Sequence, residues 1–221
     1  VYKRQLVRGT WLNEELGRQT FGNYARGWLR DHPKMGPRYR ETCERNLRLH
    51  LVALHDVPLR AVTPAVVREW YASALRGSGG RTSIMQTYRF LRAVMNTAVR
   101  DGAIVKNPCQ ITGGSADRAK ERPVASPAEV VALVEASTPR YRAAVLLAAW
   151  CGLRRGEVLG LRLEDVDLAA GVVMVRRNRV ELLATGAAFD AEPKTDAGKR
   201  TVTIPPHVLP VDHPGDLGGS D

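Results

Sequence analysis

The sequence predicts a multidomain, mainly α fold in which a helical domain precedes a domain of mixed α and β structure. Apolar residues recur with the period of an α-helix through the first half, and a strand-like run of apolar and β-branched residues begins only after Gly171. The charge also differs between the halves, since residues 1–118 hold 20 basic and 9 acidic side chains whereas residues 119–221 hold 13 and 14. A chain of 221 residues has room for two such domains.

The net charge of +10 comes entirely from the first half of the chain. Such an asymmetry indicates a polyanionic partner, most often nucleic acid, although a basic surface that serves only solubility is the alternative. The longest apolar run, residues 143–153, is too short to cross a bilayer, so we expect no membrane partner. Three cysteines without metal-ligand spacing predict reduced thiols, no metal site and a cytoplasmic location.

Four helices are expected in the first domain. Thr20 is a suitable N-cap for a helix that ends near Asp31, and a second helix covers residues 37–49. The third begins at Thr63-Pro64, because threonine caps a helix and proline fits its first position.

The fourth helix, from about Arg81 to Asp101, carries two stripes. Its apolar stripe, which a core-facing helix requires, consists of Ile84, Tyr88, Leu91, Met95 and Ala98. Arginines lie along another face of this helix, and the second helix likewise has an apolar face and an arginine face. An arginine stripe beside a buried stripe suits a helix that lies against phosphates, with a plain solvated face as the alternative. The arginines expected to bind DNA are Arg38, Arg45, Arg48, Arg81, Arg89, Arg92 and Arg100.

The second domain begins with helices. Residues 104–122 are mostly polar and contain proline and glycine, which predicts a linker. Ser126 and Glu129 then form a capping-box start for a helix. The next helix, residues 140–150, is nearly all apolar beyond Arg142, so we expect it to be buried on most sides.

Strands are expected after these helices. The run that starts at Val172 predicts a strand that reaches about Leu183, and Thr201–Ile204 predicts a second one behind a turn at Asp196–Lys199. The second domain is therefore expected to combine helices with a small sheet.

Arg154 and Glu157 form the most specific chemical pattern of the chain. An arginine just after a helix-ending glycine, with an acid three residues on, is a candidate anion clamp, because a guanidinium grips two phosphate oxygens at once. The acid would then hold the guanidinium in place. The spacing by itself equally describes a surface ion pair one helical turn apart.

Two motifs resemble those of one family. Residues 151–161, followed by the acidic residues 164–167, closely resemble the first arginine box of the tyrosine recombinase (phage-type integrase) family, and residues 192–202 resemble its β-hairpin lysine segment. Residues 18–103 look like the family's helical core-binding (SAM-like) domain. Residues 123–208 look like the first part of its α+β catalytic domain.

The resemblance implies a role for each matching residue. Arg154 matches the arginine that binds the scissile phosphate, Glu157 the acid that supports it, and Lys194 the lysine that donates a proton to the leaving 5′-oxygen; without the resemblance, Lys194 reads as a solvated turn lysine. The family's chemistry is two transesterifications through a 3′-phosphotyrosyl link and needs no cofactor. The implied partner is double-stranded DNA in the nucleoid, on which the full-length protein self-associates.

The sequence departs from the family at its end. The family's His-x-x-Arg box, a further His or Trp, and the nucleophilic tyrosine all follow the hairpin, but the six tyrosines of this chain precede Arg154. We therefore expect a C-terminally truncated protein that is inactive alone. Residues 209–221, rich in proline and glycine, are expected to be disordered or aberrant. Residues 1–17 are read either as a remnant of an arm-binding domain or as a cloning remnant.

Three functions remain open at this stage. The first is a site-specific recombinase fragment, and the second is a catalytically inactive remnant that occupies recombination half-sites. The third, an unrelated helical transcription regulator, requires both motifs to be coincidental.

Overall fold

A computed structural model of the chain describes residues 12–33, 35–77, 79–116, 123–192 and 198–209. The chain divides into two compact units, Val1–Lys120 and Glu121–Asp221. No helix among the described residues is both long and apolar enough to span a membrane.

The described residues of unit 1 form five α-helices, and the four predicted ones lie where the sequence places them. They are α1 (Glu14–Arg18), α2 (Phe21–Asp31), α3 (Pro37–His50), α4 (Pro64–Arg76) and α5 (Arg81–Arg100). The predicted caps are present: Thr20 Oγ1 accepts a hydrogen bond from the backbone of Asn23 at 3.4 Å, and Thr63 Oγ1 accepts one from Val66 at 3.3 Å. Only the short α1 was not predicted.

Helix α5 forms the centre of unit 1. All five residues of its predicted apolar stripe, 84 to 98, are at most 1% exposed, so this prediction is confirmed. All of them except Ile84 belong to one buried cluster with Phe21 of α2, Leu47 of α3 and Val67 of α4. Each large apolar side chain buried in this way stabilises the fold by about 1.5–3 kcal/mol.

The first part of the predicted linker is folded onto unit 1. Ile104 and Cys109 are buried in its core, and the backbone N–H of Ile111 donates to the Tyr88 hydroxyl at 2.9 Å. Asn107 Nδ2 donates to the carbonyl of Arg92 at 3.0 Å. The polar composition of residues 104–122 predicted a linker, but residues 104–116 are part of unit 1, because a few apolar side chains anchor this segment to its core. Residues 117–122 lie outside the described part of the chain.

The N-terminal segment is likewise part of unit 1 from Leu12 onward. The backbone N–H of Asn13 donates to the carbonyl of Gly102 at 2.8 Å, and the Asn13 side chain caps α1. Leu16 packs against the core. The interpretation of residues 1–17 as a remnant of another domain therefore concerns residues 1–11 alone, which are outside the described residues.

The described residues of unit 2 form three α-helices and two small antiparallel sheets. Its elements are α6 (Pro127–Ala136), α7 (Pro139–Trp150), α8 (Arg155–Leu159), β1 (Val166–Asp167), β2 (Val172–Val175), β3 (Asn178–Glu181), β4 (Ala188–Ala191) and β5 (Arg200–Thr203). One sheet has the order β1-β2-β5, with Val173 opposite Val202, and β3 pairs with β4. The predicted capping box is present, since Ser126 Oγ accepts from the backbone of Glu129 and the Glu129 carboxylate accepts from Ser126.

The predicted strand from Val172 to Leu183 is wrong, because it is two strands separated at Arg176 and Arg177. Successive side chains of a regular strand point to opposite faces. Here both arginines reach the same buried carboxylate, that of Asp165, at 3.5 and 2.7 Å. The backbone therefore leaves strand geometry at these two residues.

The expectation that the apolar second helix of unit 2 is buried is also wrong. Among the described residues, none of α7 is buried. Val145, Leu146 and Trp150 are only half-buried. The core of unit 2 lies instead beside the sheet and consists of Cys151, Leu153, Val173, Val175 and Ile204.

Candidate active site

A tight turn sets the position of Arg154. Helix α7 ends at Trp150, and Gly152 follows with a φ of +63°, a backbone conformation that glycine adopts without steric cost. Leu153, 4% exposed, then anchors the chain in the core. Arg154 stands at the N-cap of α8 with its side chain 79% exposed. Its backbone is therefore fixed while its guanidinium faces outward.

Glu157 receives four hydrogen bonds although its side chain is only 6% exposed. Oε2 accepts from the backbone N–H of Arg154 at 2.9 Å, and Oε1 accepts from Arg154 Nη1 at 3.0 Å. The guanidinium of Arg200 binds both oxygens, with Nη1 at 3.1 Å from Oε1 and Nη2 at 2.9 Å from Oε2. Both oxygens of the carboxylate are thus fully occupied.

These contacts keep Glu157 ionised. The hydrogen bonds from Arg200 are the main cause that lowers the pKa of Glu157 to about 2, and those from Arg154 act in the same direction against the effect of burial. The carboxylate in turn raises the pKa of Arg200. At neutral pH the three side chains therefore carry two positive charges and one negative charge.

The sequence interpretation missed Arg200. It belongs to the lysine motif, but it lies 43 residues from Glu157 in the chain, and no local spacing pairs the two. Their contact depends on the pairing of β5 with β2, in which Arg200 lies opposite Val175. The one feature of the sequence that could have drawn attention to Arg200 is its position between predicted turn residues and a predicted strand.

Lys194 lies outside the described residues, so its proximity to Arg154 stays a prediction. On the described flanks of this segment, Lys199 Nζ lies 3.3 Å from a carboxylate oxygen of Glu192, and both side chains are exposed. Arg154 and Glu157 are therefore the two predicted catalytic residues that the structure brings together.

A second buried carboxylate, Asp165, organises further arginines of unit 2. Its side chain is inaccessible to solvent, and it accepts from the backbone N–H of Arg162 at 3.0 Å and from Arg177 Nη1 at 2.7 Å. A groove of about 700 Å³ lies beside these groups. Its wall includes Arg176, Arg177, Asp190, Glu192, Lys199 and Arg200. Each of the four cations in this wall is paired with a carboxylate: Arg176 and Arg177 with Asp165, Lys199 with Glu192, and Arg200 with Glu157.

The seven arginines expected to bind DNA differ in their surroundings. Arg48, Arg81 and Arg92 are exposed. Arg45 is half-buried, and Arg38 lies 3.9 Å from Glu41.

Two arginines of α5 make contacts within unit 1. Arg89 Nε donates to the carbonyl of Ser115 at 2.9 Å and thereby holds the segment that follows α5. Arg100 Nη2 donates to Thr97 Oγ1 at 2.8 Å. Arg92 therefore offers its charge to a partner more freely than Arg89 does.

Within the described ranges, no group of three or more His, Cys, Asp and Glu side chains is arranged to hold a metal ion.

Comparison with known proteins identifies the family, although no family model matches the chain. The prophage phiRv2 integrase of Mycobacterium tuberculosis is 38% identical over 219 residues, which are 95% of this chain and 56% of that protein. A XerC-like tyrosine recombinase of Caldanaerobacter subterraneus is 26% identical over 90% of this chain and 56% of its own length. The Tn1549 transposon integrase, solved in complex with a circular intermediate DNA, has a TM-score of 0.74 at 21% identity and covers 86% of this chain and 63% of its own.

The two units and the arginine site together define a recombinase architecture: a helical core-binding domain followed by the first part of an α+β catalytic domain. The chain belongs to the tyrosine recombinase family of the phage integrase type. It spans about half the length of the curated relatives that it matches. Membership removes the alternative of an unrelated helical regulator.

Proposed function

We propose that the chain is the core-binding and early catalytic part of a site-specific recombinase that acts on double-stranded DNA. Whole proteins of this kind exchange strands by phosphodiester transesterification through a phosphotyrosine intermediate. The observation that carries the proposal is the exposed guanidinium of Arg154, held on an ionised, buried Glu157, in a chain 38% identical to an integrase. The likeness to an integrase solved with DNA supports the same substrate.

Arg154 is the residue that binds the scissile phosphate in this proposal. Its backbone and one of its side-chain nitrogens are held by Glu157, so the guanidinium is oriented before the substrate arrives. Preorganised positive charge is most effective where negative charge develops in the transition state, and the loss of one such donor costs about 10²–10³ in rate.

Lys194 supplies the general acid for the leaving 5′-oxygen, a role worth about 10²–10⁴ in rate. The nucleophile is a tyrosine, which must come from beyond Tyr141, the last tyrosine of this chain. We therefore propose that the chain alone binds DNA without cleaving it. The reaction conserves bond energy in the phosphotyrosyl link and needs no cofactor.

DNA binding falls to the basic helices of unit 1. The exposed arginines of α3 and α5 lie on the solvent side of helices whose other face is buried, which is the arrangement that a helix against DNA phosphates requires. Residues 18–103 would hold one part of the site and residues 123–208 another, with residues 104–122 between them. On recombination sites the full-length protein would self-associate, in the cytoplasm and at the nucleoid.

A selection experiment tests this function. The chain is incubated with a pool of random duplexes, the bound duplexes are recovered, and the selected duplex is prepared with a nick at each position in turn. We expect a shifted band in native gels, an affinity that falls steeply with salt, and no covalent adduct in denaturing gels. Absence of any shift would refute DNA binding, and a covalent adduct would refute the proposed inactivity.

A second candidate function is a remnant that competes with an intact recombinase for half-sites. It is favoured by the position of all six tyrosines before Arg154. Adding the chain to a recombination reaction of an intact homologue on its own sites should then lower the product yield. An unchanged yield under conditions in which the chain occupies those sites would exclude competition.

A further inference from the structure

The contact between Arg200 and Glu157 connects two segments that are far apart in the chain. Arg200 opens β5, within the lysine motif, and Glu157 lies in the middle of α8. The pair is poorly accessible, with the side chain of Arg200 31% exposed and that of Glu157 6% exposed. Solvent and salt therefore screen it less than a surface ion pair.

We propose that Arg200 is a positioning residue that keeps the guanidinium of Arg154 available to a phosphate by sharing the charge of Glu157. The inference rests on the proposed function, in which Arg154 binds the scissile phosphate. Arg200 itself directs both of its terminal nitrogens at Glu157, so it acts through Glu157 and not on the phosphate.

The hydrogen bonds show how the charge is shared. Each oxygen of Glu157 accepts one bond from Arg154 and one from Arg200. Arg154 therefore uses a single side-chain nitrogen, Nη1, to hold Glu157, and the remainder of its guanidinium is free to meet an anion at a surface that is 79% exposed.

Loss of Arg200 would change the site in two ways. The net charge of the three side chains would fall from one positive charge to zero, which weakens the attraction for a phosphate. The buried carboxylate would also be left with vacant acceptor positions, and a guanidinium satisfies these best with two parallel bonds. Arg154 would be drawn onto Glu157, and donors intended for the phosphate would be lost.

The test measures the availability of Arg154 directly, in the whole chain and without need of a nucleophile. Phenylglyoxal modifies accessible arginines, and mass spectrometry gives the rate at Arg154 with and without inorganic phosphate. We expect phosphate to protect Arg154 in the unaltered chain. In Arg200→Gln, which keeps a donor and loses the charge, the protection should fall about fivefold, as expected for residues in one hydrogen-bond network.

Two further variants separate positioning from mere stabilisation. Arg200→Lys keeps the charge and should retain most of the protection. Arg155→Gln is the matched control, because Arg155 is a neighbouring exposed arginine that pairs with Glu181 at 2.6 Å, and protection of Arg154 should be unchanged. An arginine that only stabilised the fold would shift the melting temperature without changing the protection.

The outcomes are distinct. If phosphate does not protect Arg154 in the unaltered chain, the role of Arg154 in the proposed function fails, and this inference fails with it. If Arg154 is protected there and equally protected in folded Arg200→Gln, only the inference about Arg200 is overturned. Should Arg200→Gln not fold, loss of protection in folded Arg200→Lys would overturn it as well.

Discussion

At the scale of residues, the site depends on one carboxylate that satisfies two guanidinium groups. Glu157 is buried, so its charge must be compensated, and two arginines from different segments do so. Asp165 is also buried and likewise pairs with two arginines, Arg176 and Arg177, which follow β2. In both cases a buried acid converts flexible arginines into oriented ones, which is what recognition of a phosphate requires.

The stability of unit 2 should depend on the ionisation of Glu157. Because the pKa of Glu157 is lowered from 4.5 to about 2 in the folded chain, its contribution is complete above 4.5 and is lost as the pH falls toward 2. Glu157→Gln should therefore lower the free energy of unfolding by about 1–3 kcal/mol at neutral pH. Urea titrations across this pH range measure it, and the difference between the two proteins should shrink on acidification; a constant difference would contradict the assignment.

Arg92 and Arg89 should behave differently although they are one helical turn apart. Arg92 is exposed, and Arg92→Ala should weaken DNA binding on many sequences alike and reduce the salt slope by about one. Arg89 holds the carbonyl of Ser115, so Arg89→Ala should in addition speed amide hydrogen exchange in the segment after α5.

The variant Arg154→Ala serves as the comparison for Arg92→Ala and Arg89→Ala. It should abolish strand cleavage in a full-length homologue while half-site binding stays nearly intact. Fluorescence anisotropy on the selected duplex gives the affinities, and equal binding losses for Arg154→Ala and Arg92→Ala would contradict this division of labour.

At the scale of elements, caps and turns decide where helices begin and end. Threonine, serine and proline start α2, α4 and α6 as local chemistry dictates. The end of α7 is of particular importance, because the reversal at Gly152 directs the chain into α8 and sets the place of Arg154.

Gly152→Ala should destabilise unit 2 by about 1–2 kcal/mol, since a side chain at a φ of +63° is strained. Nothing lies within 4 Å of the added methyl group, so strain of the backbone is the whole effect. Gly27→Ala should have the opposite effect. Gly27 lies within α2, and the added carbon would meet only the end of the Arg30 side chain, at 3.8 Å, so this variant should raise the free energy of unfolding by about 0.5–1 kcal/mol. Thermal unfolding measures both, and equal losses would contradict the role of backbone conformation.

At the scale of the whole molecule, the two units are built differently. Unit 1 packs around the buried face of one long helix, whereas unit 2 has a small core beside its sheet and leaves apolar side chains of α6 and α7 accessible. Val131, Leu133 and Tyr141 are each 54% exposed. Exposed apolar side chains of this size favour association.

Concentration-dependent association should therefore originate in unit 2. Leu133→Lys should reduce light scattering of the chain at high concentration and leave the melting temperature nearly unchanged, because the replaced side chain is already half exposed. Leu183→Lys is the matched control. Leu183 is 67% exposed and belongs to the connection between β3 and β4, not to α6 or α7, so its replacement should not change the scattering.

Four helices of unit 1, the threonine caps of α2 and α4 and the buried stripe of α5 could be predicted from the sequence, because they depend on spacings of three and four residues that are visible locally. The three-residue spacing also made Arg154 and Glu157 a candidate pair, and the two side chains do form an ion pair. The tertiary structure decided what local spacing does not encode: that Arg177 and Arg176 share Asp165 and break the predicted strand, that residues 104–116 pack onto α5, that α7 remains half exposed, and that Arg200 completes the site. Each of these depends on contacts between distant segments, and such contacts are chosen by the packing of the whole chain.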